Sequence, residues 1–557
     1  MRSRFLAVLV GLLLPVFALG QSICPRYPAG SVVPVPLDLH SNNGVLTVNL
    51  LYQTDTDAYG NQLFCFTDSK GRQSPSLYVN PGDLIVMNVT NGLPTGSAAK
   101  AGAHAMPSHA ISMNPKAAIP AAQVCGSLLP MGPSSVNVHF HGTNTPPTCH
   151  QDEVIRTLIN PGETFQYTLQ IPSDEPPGLY WYHPHVHGLA ENAVLGGASG
   201  AIVVQGIQNV NPIVGGLHSQ LLIVRDNLPI SSDPAAPQKD LSLNYVPVYY
   251  PEYTPAVILM DPGSKQLWRV LNASADTIID LQVLFDGAPQ AITIVSLDGV
   301  PTGSQDGTQQ GTAYNAGHVY IPTAGRAEFI VSAPSSTVKS ATLITQAIDT
   351  GPNGDYDPMR PLASIQLNAP TAPIVTSKFD VIPFVSKTPP KARFSNLAAV
   401  TPTATRSLYF SELQLDPLDP DAFIIFYITV TGQQPTAFDP NNPPAIVTTQ
   451  GAVEDWTIEN HSLENHEFHM HQIHFLVMAQ NGVPLENPQF MDTVNVPYWP
   501  GTGPYPSVTV RMDFRGAVVG DFVYHCHILA HEDGGMMATI QVNPAPAAEK
   551  VLKENNK

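Results

Sequence analysis

The sequence is poor in charged residues, in basic residues above all, and in long apolar segments. Only 12% of the 557 residues are charged, and the formal net charge is −19. A nucleic-acid surface needs clustered Lys and Arg, and no basic run is present, so we expect no nucleic-acid partner. Beyond the N-terminus, no segment reaches the roughly 20 apolar residues of a membrane-spanning helix. We therefore expect no membrane span.

The N-terminus carries the one long apolar stretch, in MRSRFLAVLVGLLLPVFALG. A basic start, an apolar stretch and the small-x-small sequence Ala18-Leu19-Gly20 are typical of a secretory signal peptide. We assign residues 1–20 to this signal and expect a secreted or periplasmic mature chain that begins near Gln21. The alternative is an uncleaved anchor, for which the apolar stretch is short.

Cysteine is scarce, and four of the five cysteines lie in the first 150 residues. In an exported protein we expect Cys24, Cys65, Cys125 and Cys149 to form two disulfides, although three pairings are possible. The fifth, Cys526, lies among histidines in FVYHCHILAHEDGGMM. A metal there would explain why this cysteine stays unpaired.

Glycine and proline are abundant, at 41 and 55 residues, which favours many short strands joined by turns. Three segments look alike, namely YVNPGDLIVMNVTN, LMDPGSKQLWRVLN and VTTQGAVEDWTIEN, at 78–91, 259–272 and 447–460. Each has a turn glycine, an alternating apolar strand and a final asparagine. Such wide spacing indicates repeated whole domains rather than a solenoid. We predict an all-β protein of three β-sandwich domains, 21–207, 208–370 and 371–557.

Pairs of histidines follow the first and third copies but not the second. VHFHG and YWYHPH follow the first copy, and HEFHMH and HCH follow the third. Residues i and i+2 of a strand point to the same face, so both histidines of such a pair can approach one metal cluster. In HCH, Cys526 would therefore face a different site from His525 and His527. The middle domain is predicted to hold no metal.

A second metal site is predicted around Cys526. A thiolate, two imidazoles and a weak axial thioether are the ligands of a blue-copper electron-transfer site. Cys526 and His531 supply two of them, and Met536 is preferred to Met537 as the axial ligand. The other imidazole is assigned to His466, because the remaining histidines of HEFHMH already form an H-x-H pair.

The segments HFHG, HPH, HEFHMH and HCHILAHEDGGM, in this order, resemble those of three-domain multicopper oxidases of the laccase type. The resemblance covers essentially the whole mature chain and implies three cupredoxin-like Greek-key β-sandwich domains with four copper ions. The implied type 1 copper ligands are His466, Cys526, His531 and Met536. The implied ligands of the three-copper cluster are His139 and His469 for type 2 copper, and His141, His183, His185, His471, His525 and His527 for the type 3 pair.

One residue departs from the family pattern. The first histidine of the third segment is usually followed by proline, and Glu467 stands there instead. Because this residue is not a ligand, we expect only a modest effect on the shape of the loop.

The resemblance implies one-electron oxidation of phenolic or aromatic amine substrates, coupled to reduction of dioxygen to two waters. The partners are then dioxygen and a small reducing substrate, and we expect a monomer. Electrons would arrive at His466, whose imidazole is expected to face solvent, and pass through Cys526 to the three-copper cluster. Proton delivery calls for carboxylates, and by resemblance the candidates are Glu532 and Asp152. The alternative for each is a solvated or structural carboxylate.

Two other functions stay open. A metal oxidase acting on Cu(I), Fe(II) or Mn(II) would share the copper core. An apolar cleft beside His466 would favour phenols, whereas clustered carboxylates or methionines would favour metal ions. A non-enzymatic copper-binding protein is the remote alternative, against which the complete ligand set argues.

Two features fall outside the predicted ligand set. His187 and His474 continue histidine motifs, and we expect them to pack or hydrogen-bond near the metal rather than bind it. The segment 92–133 is rich in Ala, Pro and Ser. It is interpreted either as a copper-handling flap or as an insertion packed over the first domain and pinned by Cys125.

Overall fold

The structure is a computed structural model that describes residues 22–94, 125–304, 310–368, 394–416 and 422–546. These residues are nearly all in strands and turns. The α-helices are short: α1 (Ala190–Leu195), α2 (Ile207–Val210) and α3 (Leu529–Asp533), with 3-10 turns at Pro212–Val214 and Leu397–Ala399. Among the described helices, none has the length and apolar character needed to cross a membrane.

The first pair of sheets lies within residues 38–204. One has the order β1-β4-β9-β8-β6 and the other β3-β2-β5-β7. Their strands are β1 (Asp38–His40), β2 (Val45–Thr56), β3 (Gln62–Thr67), β4 (Ser76–Val79), β5 (Leu84–Asn91), β6 (His139–His141), β7 (Thr164–Gln170), β8 (Gly178–His183) and β9 (Gly200–Val204).

The second pair lies within residues 218–367. Its sheets have the orders β12-β11-β10-β14-β21-β17-β18, with β19 beside β17, and β13-β23-β22-β15-β16, with β20 beside β15. Their strands are β10 (His218–Asn227), β11 (Asp240–Leu243), β12 (Val246–Val248), β13 (Ala256–Met260), β14 (Lys265–Asn272), β15 (Ile279–Phe285), β16 (Ala288–Pro289), β17 (Ile292–Leu297), β18 (Val300–Pro301), β19 (Tyr314–Ala316), β20 (Val319–Ile321), β21 (Arg326–Ser332), β22 (Ala341–Thr345) and β23 (Arg360–Leu367).

The third pair lies within residues 404–543, in the orders β25-β24-β27-β32-β29-β30 and β26-β34-β33-β28-β31. Its strands are β24 (Ala404–Gln414), β25 (Ile424–Val430), β26 (Ile446–Thr449), β27 (Val453–Asn460), β28 (His466–Met470), β29 (Phe475–Gln480), β30 (Val483–Met491), β31 (Thr493–Val496), β32 (Ser507–Asp513), β33 (Gly520–Cys526) and β34 (Met537–Asn543).

Each pair of sheets encloses its own apolar core, so the predicted all-β sandwich architecture is confirmed. The domain boundaries near 207 and 370 stay a prediction. The first lies between β9 and β10, and residue 370 lies outside the described residues.

The three similar segments occupy the same place in the three pairs of sheets. They form β5, β14 and β27, each parallel to one neighbour and antiparallel to the other. The final asparagines, Asn91, Asn272 and Asn460, are fully buried, and each side-chain amide donates to backbone carbonyls of neighbouring loops. The asparagine is therefore a buried brace that holds the end of the sandwich.

Two disulfides are present, as predicted, and the structure selects their pairing. Cys24 bonds Cys65, and Cys125 bonds Cys149. Cys526 is the free cysteine among the described residues, and it is buried. Most of the 92–133 segment, residues 95–124, lies outside the described residues, and so does the predicted flap.

We predict that Asn272→Ala destabilises the middle sandwich. Its Nδ2 donates to the carbonyls of Thr277, Ile321 and Pro322 at 3.0, 3.2 and 2.9 Å. Leaving these buried acceptors unpaired should cost about 2–4 kcal/mol of unfolding free energy. The matched control is Asn368→Ala, whose side chain bonds Asp261 at the surface and should cost under about 0.5 kcal/mol. Equal shifts of the denaturation midpoint would contradict the bracing role.

Candidate metal centre

A thiolate and two imidazoles converge inside the third sandwich. Cys526 Sγ lies 3.6 Å from His466 Nδ1 and 3.7 Å from His531 Nδ1, and the two nitrogens are 3.0 Å apart. Burial works to raise the pKa of Cys526, but hydrogen bonds from both histidines lower it to about 6. The thiolate, which is the metal-binding form, is therefore accessible at neutral pH.

The two methionines after this cluster point to different surroundings. Met536 is fully buried in the same core cluster as Cys526 and Ile528. Met537 packs instead with Val154 in a separate small cluster. Met536 therefore shares the core around Cys526 and Met537 does not, and the choice of Met536 as the axial ligand stays a prediction.

Eight further histidines meet between the first and third sandwiches. Their ring nitrogens fall into groups in which every ligand atom lies within 4.8 Å of the others. The groups are His141, His183 and His527; His185, His471 and His525; and His139 and His469 together with His141.

In one trio, the three ring nitrogens converge. The Nε2 atoms of His185, His471 and His525 are 3.1, 3.1 and 3.3 Å apart. Burial, and then the neighbouring histidines, lower the pKa of His185 and His471 well below the usual range, so the rings are neutral. Neutral imidazoles whose nitrogens converge away from water fit a metal ion, which replaces the missing hydrogen-bond donors.

Several of these rings are oriented by a hydrogen bond at Nδ1, which leaves Nε2 without a partner among the described residues. His183 Nδ1 donates to the Pro184 carbonyl at 2.8 Å, and His469 Nδ1 to the Asp492 carbonyl at 2.7 Å. His139 Nδ1 bonds Asp152 Oδ1 at 3.0 Å. The Nε2 atoms of all three histidines are buried and unpaired. Anchoring one nitrogen and freeing the other is how proteins orient histidine ligands.

The end of β33 connects the two clusters. β33 pairs with β28 so that His525 lies opposite His469 and Cys526 opposite Phe468. Cys526 points into the thiolate cluster, whereas His525 and His527 join separate trios of the histidine cluster. The structure therefore has the predicted alternation, in which Cys526 faces one cluster and His525 and His527 face the other.

Two buried carboxyl groups contact the histidine cluster, as proposed from the sequence. Glu532 lies 3.4 Å from His525 Nδ1 and 3.7 Å from His185 Nδ1, and both its oxygens lack a hydrogen-bond partner among the described residues. Burial raises the pKa of Glu532 well above the ordinary carboxyl range, and that of Asp152 to about 8. Neither group is a solvated surface carboxylate. Their roles in proton delivery stay predictions.

Sequence reasoning missed a buried ion pair beside the cluster. Asp492 Oδ1 lies 3.2 Å from His141 Nε2 and accepts from Arg326 Nη1 at 2.8 Å. Asp492 follows β30 in the third sandwich, and Arg326 begins β21 in the second. No local motif pairs residues 166 positions apart, so the sequence carried no signal for this contact.

The expectation that His466 faces solvent is wrong. Its side chain is 0% exposed, and Nε2 bonds Ser462 Oγ at 2.7 Å and lies 3.3 Å from Glu412 Oε1. His531 is 6% exposed and lines a cleft with Lys239, Asp276, Asp355, Asp357 and Glu464. The ring nitrogen of His531 remote from the thiolate lies 3.3 Å from Glu464 Oε1.

The two histidines left outside the ligand set have separate surroundings. His474 Nε2 donates to the Asp298 carbonyl at 2.7 Å. His187 packs edge-on against Phe438. Neither belongs to the metal-ligating trios given above.

An all-β fold that buries a His-Cys-His triad beside neutral imidazole trios has the donor set expected of a copper-binding redox protein. Comparison with known families gives the same class. Multicopper oxidase family models match residues 131–209 and 414–546, the two segments that carry the clusters. These two parts of the chain are therefore of the multicopper oxidase type, which supports an oxidoreductase and implies copper as the cofactor.

Individual relatives are distant. A curated relative, the iron transport multicopper oxidase from Gibberella zeae, is 23% identical over 236 residues, which cover 40% of this chain and 33% of that protein. The match thus spans about a third of the relative's length.

Solved structures share the fold. The metallo-oxidase from Campylobacter jejuni aligns with a TM-score of 0.64 and 20% identity over 93% of this chain and 96% of that one. A laccase-like multi-copper oxidase from Ochrobactrum sp. aligns with a TM-score of 0.60 and 18% identity over 92% and 100%. At these identities the likeness is one of fold, and it confirms the cupredoxin-like sandwiches.

We predict that His471→Ala lowers the copper content of fully loaded protein by at least one ion per chain. The change removes one of three converging nitrogens, and two imidazoles hold copper more weakly than three. His187→Ala is the control, since this histidine lies nearby but outside the trios. Elemental analysis and the absorption of the Cys526 centre report the result. Full copper content in His471→Ala would contradict the grouping.

Proposed function

We propose that this protein is a laccase-like oxidase that couples one-electron oxidation of a small reducing substrate to reduction of dioxygen to water. The observation that carries the proposal is the shared end of β33, where adjacent residues belong to a thiolate cluster and to a histidine cluster. A protein that only stored copper would have no use for this covalent connection. The remote alternative of a non-enzymatic copper-binding protein is correspondingly weakened.

The proposed copper assignment follows the grouping of ligand atoms. His466, Cys526, His531 and Met536 would hold type 1 copper, and His139 and His469 would hold type 2 copper. The type 3 pair would use the remaining trios, His141, His183 and His527 for one ion and His185, His471 and His525 for the other. Bound there, four copper ions would supply single-electron acceptance at one site and four-electron reduction of dioxygen at the other.

The chain's own residues would manage electrons and protons around the metal. Cys526 is covalently adjacent to His525 and His527, so the two clusters are joined by neighbouring residues. Glu532 is positioned to hold a proton 3.4 Å from His525 Nδ1. Asp152 anchors His139 and accepts from Gln472 at 2.5 Å. We propose both carboxyl groups as proton donors during dioxygen reduction.

We propose His531, rather than His466, as the ligand nearest the reducing substrate, because His531 lines a surface cleft whereas the His466 side chain is 0% exposed. Four carboxyl groups and one ammonium line this cleft. Burial raises the pKa of Asp357 to about 7, and the three other acidic groups still outnumber the ammonium, so the net charge of the cleft is negative. Asp276 and Asp355 lie 2.9 and 3.5 Å from Lys239 Nζ. An acidic cleft attracts cations, and this favours the second candidate function, oxidation of metal ions, over oxidation of neutral phenols. Aromatic amines that carry a positive charge would also fit.

Export and domain repetition complete the proposal. Residues 1–21 lie outside the described residues, so cleavage of a signal peptide stays an expectation. The two disulfides support an oxidising compartment, outside the cell or in a periplasm. The equivalent positions of β5, β14 and β27 support a threefold repeat of one domain. A monomer stays the expected state.

We predict that Cys526→Ser abolishes both the blue absorption and oxygen consumption. Serine keeps the shape but removes the thiolate, while the ten histidines are untouched, so most of the copper should remain bound. Oxygen uptake is measured on copper-loaded protein with phenols, an aromatic amine, Cu(I), Fe(II) and Mn(II). Full activity in the variant would refute the electron route. Wild-type copper content far below four per chain would restore the binding-protein alternative.

We predict that Asp355→Asn raises KM for metal-ion donors about twofold to fivefold, because it removes one partly exposed charge from the cleft. KM for a neutral phenol should stay within error. Glu459→Gln is the control, since it removes a surface charge that pairs with His461 outside the cleft. Steady-state kinetics with both donor classes check the prediction. An equal change for both classes would contradict cation selection by the cleft.

A further inference from the structure

The thiolate of Cys526 accepts a hydrogen bond from the backbone of the residue that departs from the family pattern. The Glu467 amide donates to Cys526 Sγ at 3.3 Å, and both residues are fully buried. Within the described part of the chain, the other polar contacts of Sγ are His466 Nδ1 and His531 Nδ1. These nitrogens are proposed metal ligands. The amide is therefore the donor that would remain to the sulfur once a metal is bound.

The position of Glu467 in its strand explains why the amide is free for this contact. Glu467 lies opposite Asn495 across β28 and β31. Its carbonyl accepts from the His527 amide at 2.8 Å, which ties it to the strand end that carries Cys526. Its own N–H is turned toward the sulfur.

A proline at this position, as in the family pattern, has no N–H and cannot make the bond. The expectation that Glu467 affects only the shape of the loop is therefore too narrow. The departure adds a hydrogen-bond donor to the thiolate that is the central ligand of the proposed type 1 site. The bond lies in a water-free core, where such interactions are stronger than in solvent.

A hydrogen bond to a thiolate withdraws electron density from the sulfur. The sulfur then donates less to the metal, and the oxidised metal, which depends more on that donation, loses more stabilisation than the reduced metal. In blue-copper sites, hydrogen bonding around the cysteine sulfur is one of the factors that set the redox potential. The expected effect of the amide is thus a higher reduction potential.

We propose that the Glu467 amide raises the reduction potential of the metal bound at Cys526 and so widens the range of donors that the site can oxidise. Glu467 is a positioning residue, because it acts through the sulfur and touches no substrate. The inference rests on the proposed function, since it requires a type 1 centre at Cys526. It offsets part of the lower potential expected from an axial thioether at Met536.

The side chain of Glu467 must be separated from its amide in any test. Glu467 Oε1 accepts from Asn495 Nδ2 at 3.1 Å, and the buried carboxyl group could influence the metal by itself. Glu467→Gln keeps the amide and removes the ionisable group, whereas Glu467→Pro removes both. The ionisable group is therefore absent from both variants, and the N–H is present in only one of them.

The test is a redox titration of the blue absorption in copper-loaded wild-type protein, Glu467→Gln and Glu467→Pro. Relative to Glu467→Gln, the proline variant should disfavour reduction about threefold to tenfold in the equilibrium constant, the range expected for the net contribution of one ordinary hydrogen bond. The energy of the sulfur-to-copper absorption band should shift as well. Equal potentials in the two variants would overturn the inference.

A second measurement, by pulsed EPR, detects the hydrogen bond without the proline variant and so does not depend on that variant folding. Wild-type protein labelled with 15N-glutamate should show 15N hyperfine coupling in the pulsed EPR spectrum of the oxidised type 1 centre. In Glu467→Gln made by cell-free synthesis with the same labelled glutamate and unlabelled glutamine, the coupling should vanish, because residue 467 no longer carries the label. A wild-type spectrum without 15N coupling would overturn the inference. Absence of any blue centre in wild-type protein would instead refute the proposed function.

Discussion

The structure depends on one constraint, which is that a β-strand sends successive side chains to opposite faces. At the end of β33 this alternation places Cys526 in the core of the third sandwich and turns His525 and His527 toward the first. The two clusters share this segment and cannot be moved apart without breaking it. The first and third sandwiches must therefore meet on this strand end, and the partner histidines of β6, β8 and β28 supply the other side.

The buried imidazoles of the histidine cluster must be neutral, and each ring must be oriented by a hydrogen bond at one of its two nitrogens. Backbone carbonyls and buried carboxyl groups do this, and the middle sandwich contributes although the histidine trios named above draw no member from it. Arg326 from β21 holds Asp492, which contacts His141 and, through its carbonyl, His469. The second domain was expected to be a spacer without copper, and it acts as a support for the ligands of the other two.

The thiolate cluster has different neighbours on its inner side, toward the core, and on its outer side. On the inner side, Glu467 donates to the sulfur and Met536 closes the core. On the outer side, the remote nitrogens of His466 and His531 meet Glu412 and Glu464. Burial works to raise the pKa of Glu412, but the hydrogen bond with His466 lowers it to about 2, so Glu412 stays ionised. Acidic groups thus surround the outer edge of the site, and this negative charge is the basis for proposing cationic donors.

Local patterns in the sequence were sufficient for the sandwich class, for two disulfides and for the identity of the clustered histidines. The reason is that strand alternation, turn glycines and H-x-H spacing act over a few residues and need no knowledge of the fold. Other features depend on residues that are far apart in the chain. These are the disulfide pairing, the Arg326–Asp492 ion pair, the burial of His466 and the acidic cleft at His531. Only the packing of the three sandwiches decides those contacts, because the exposure and the charge environment of a side chain depend on which surface packs against it.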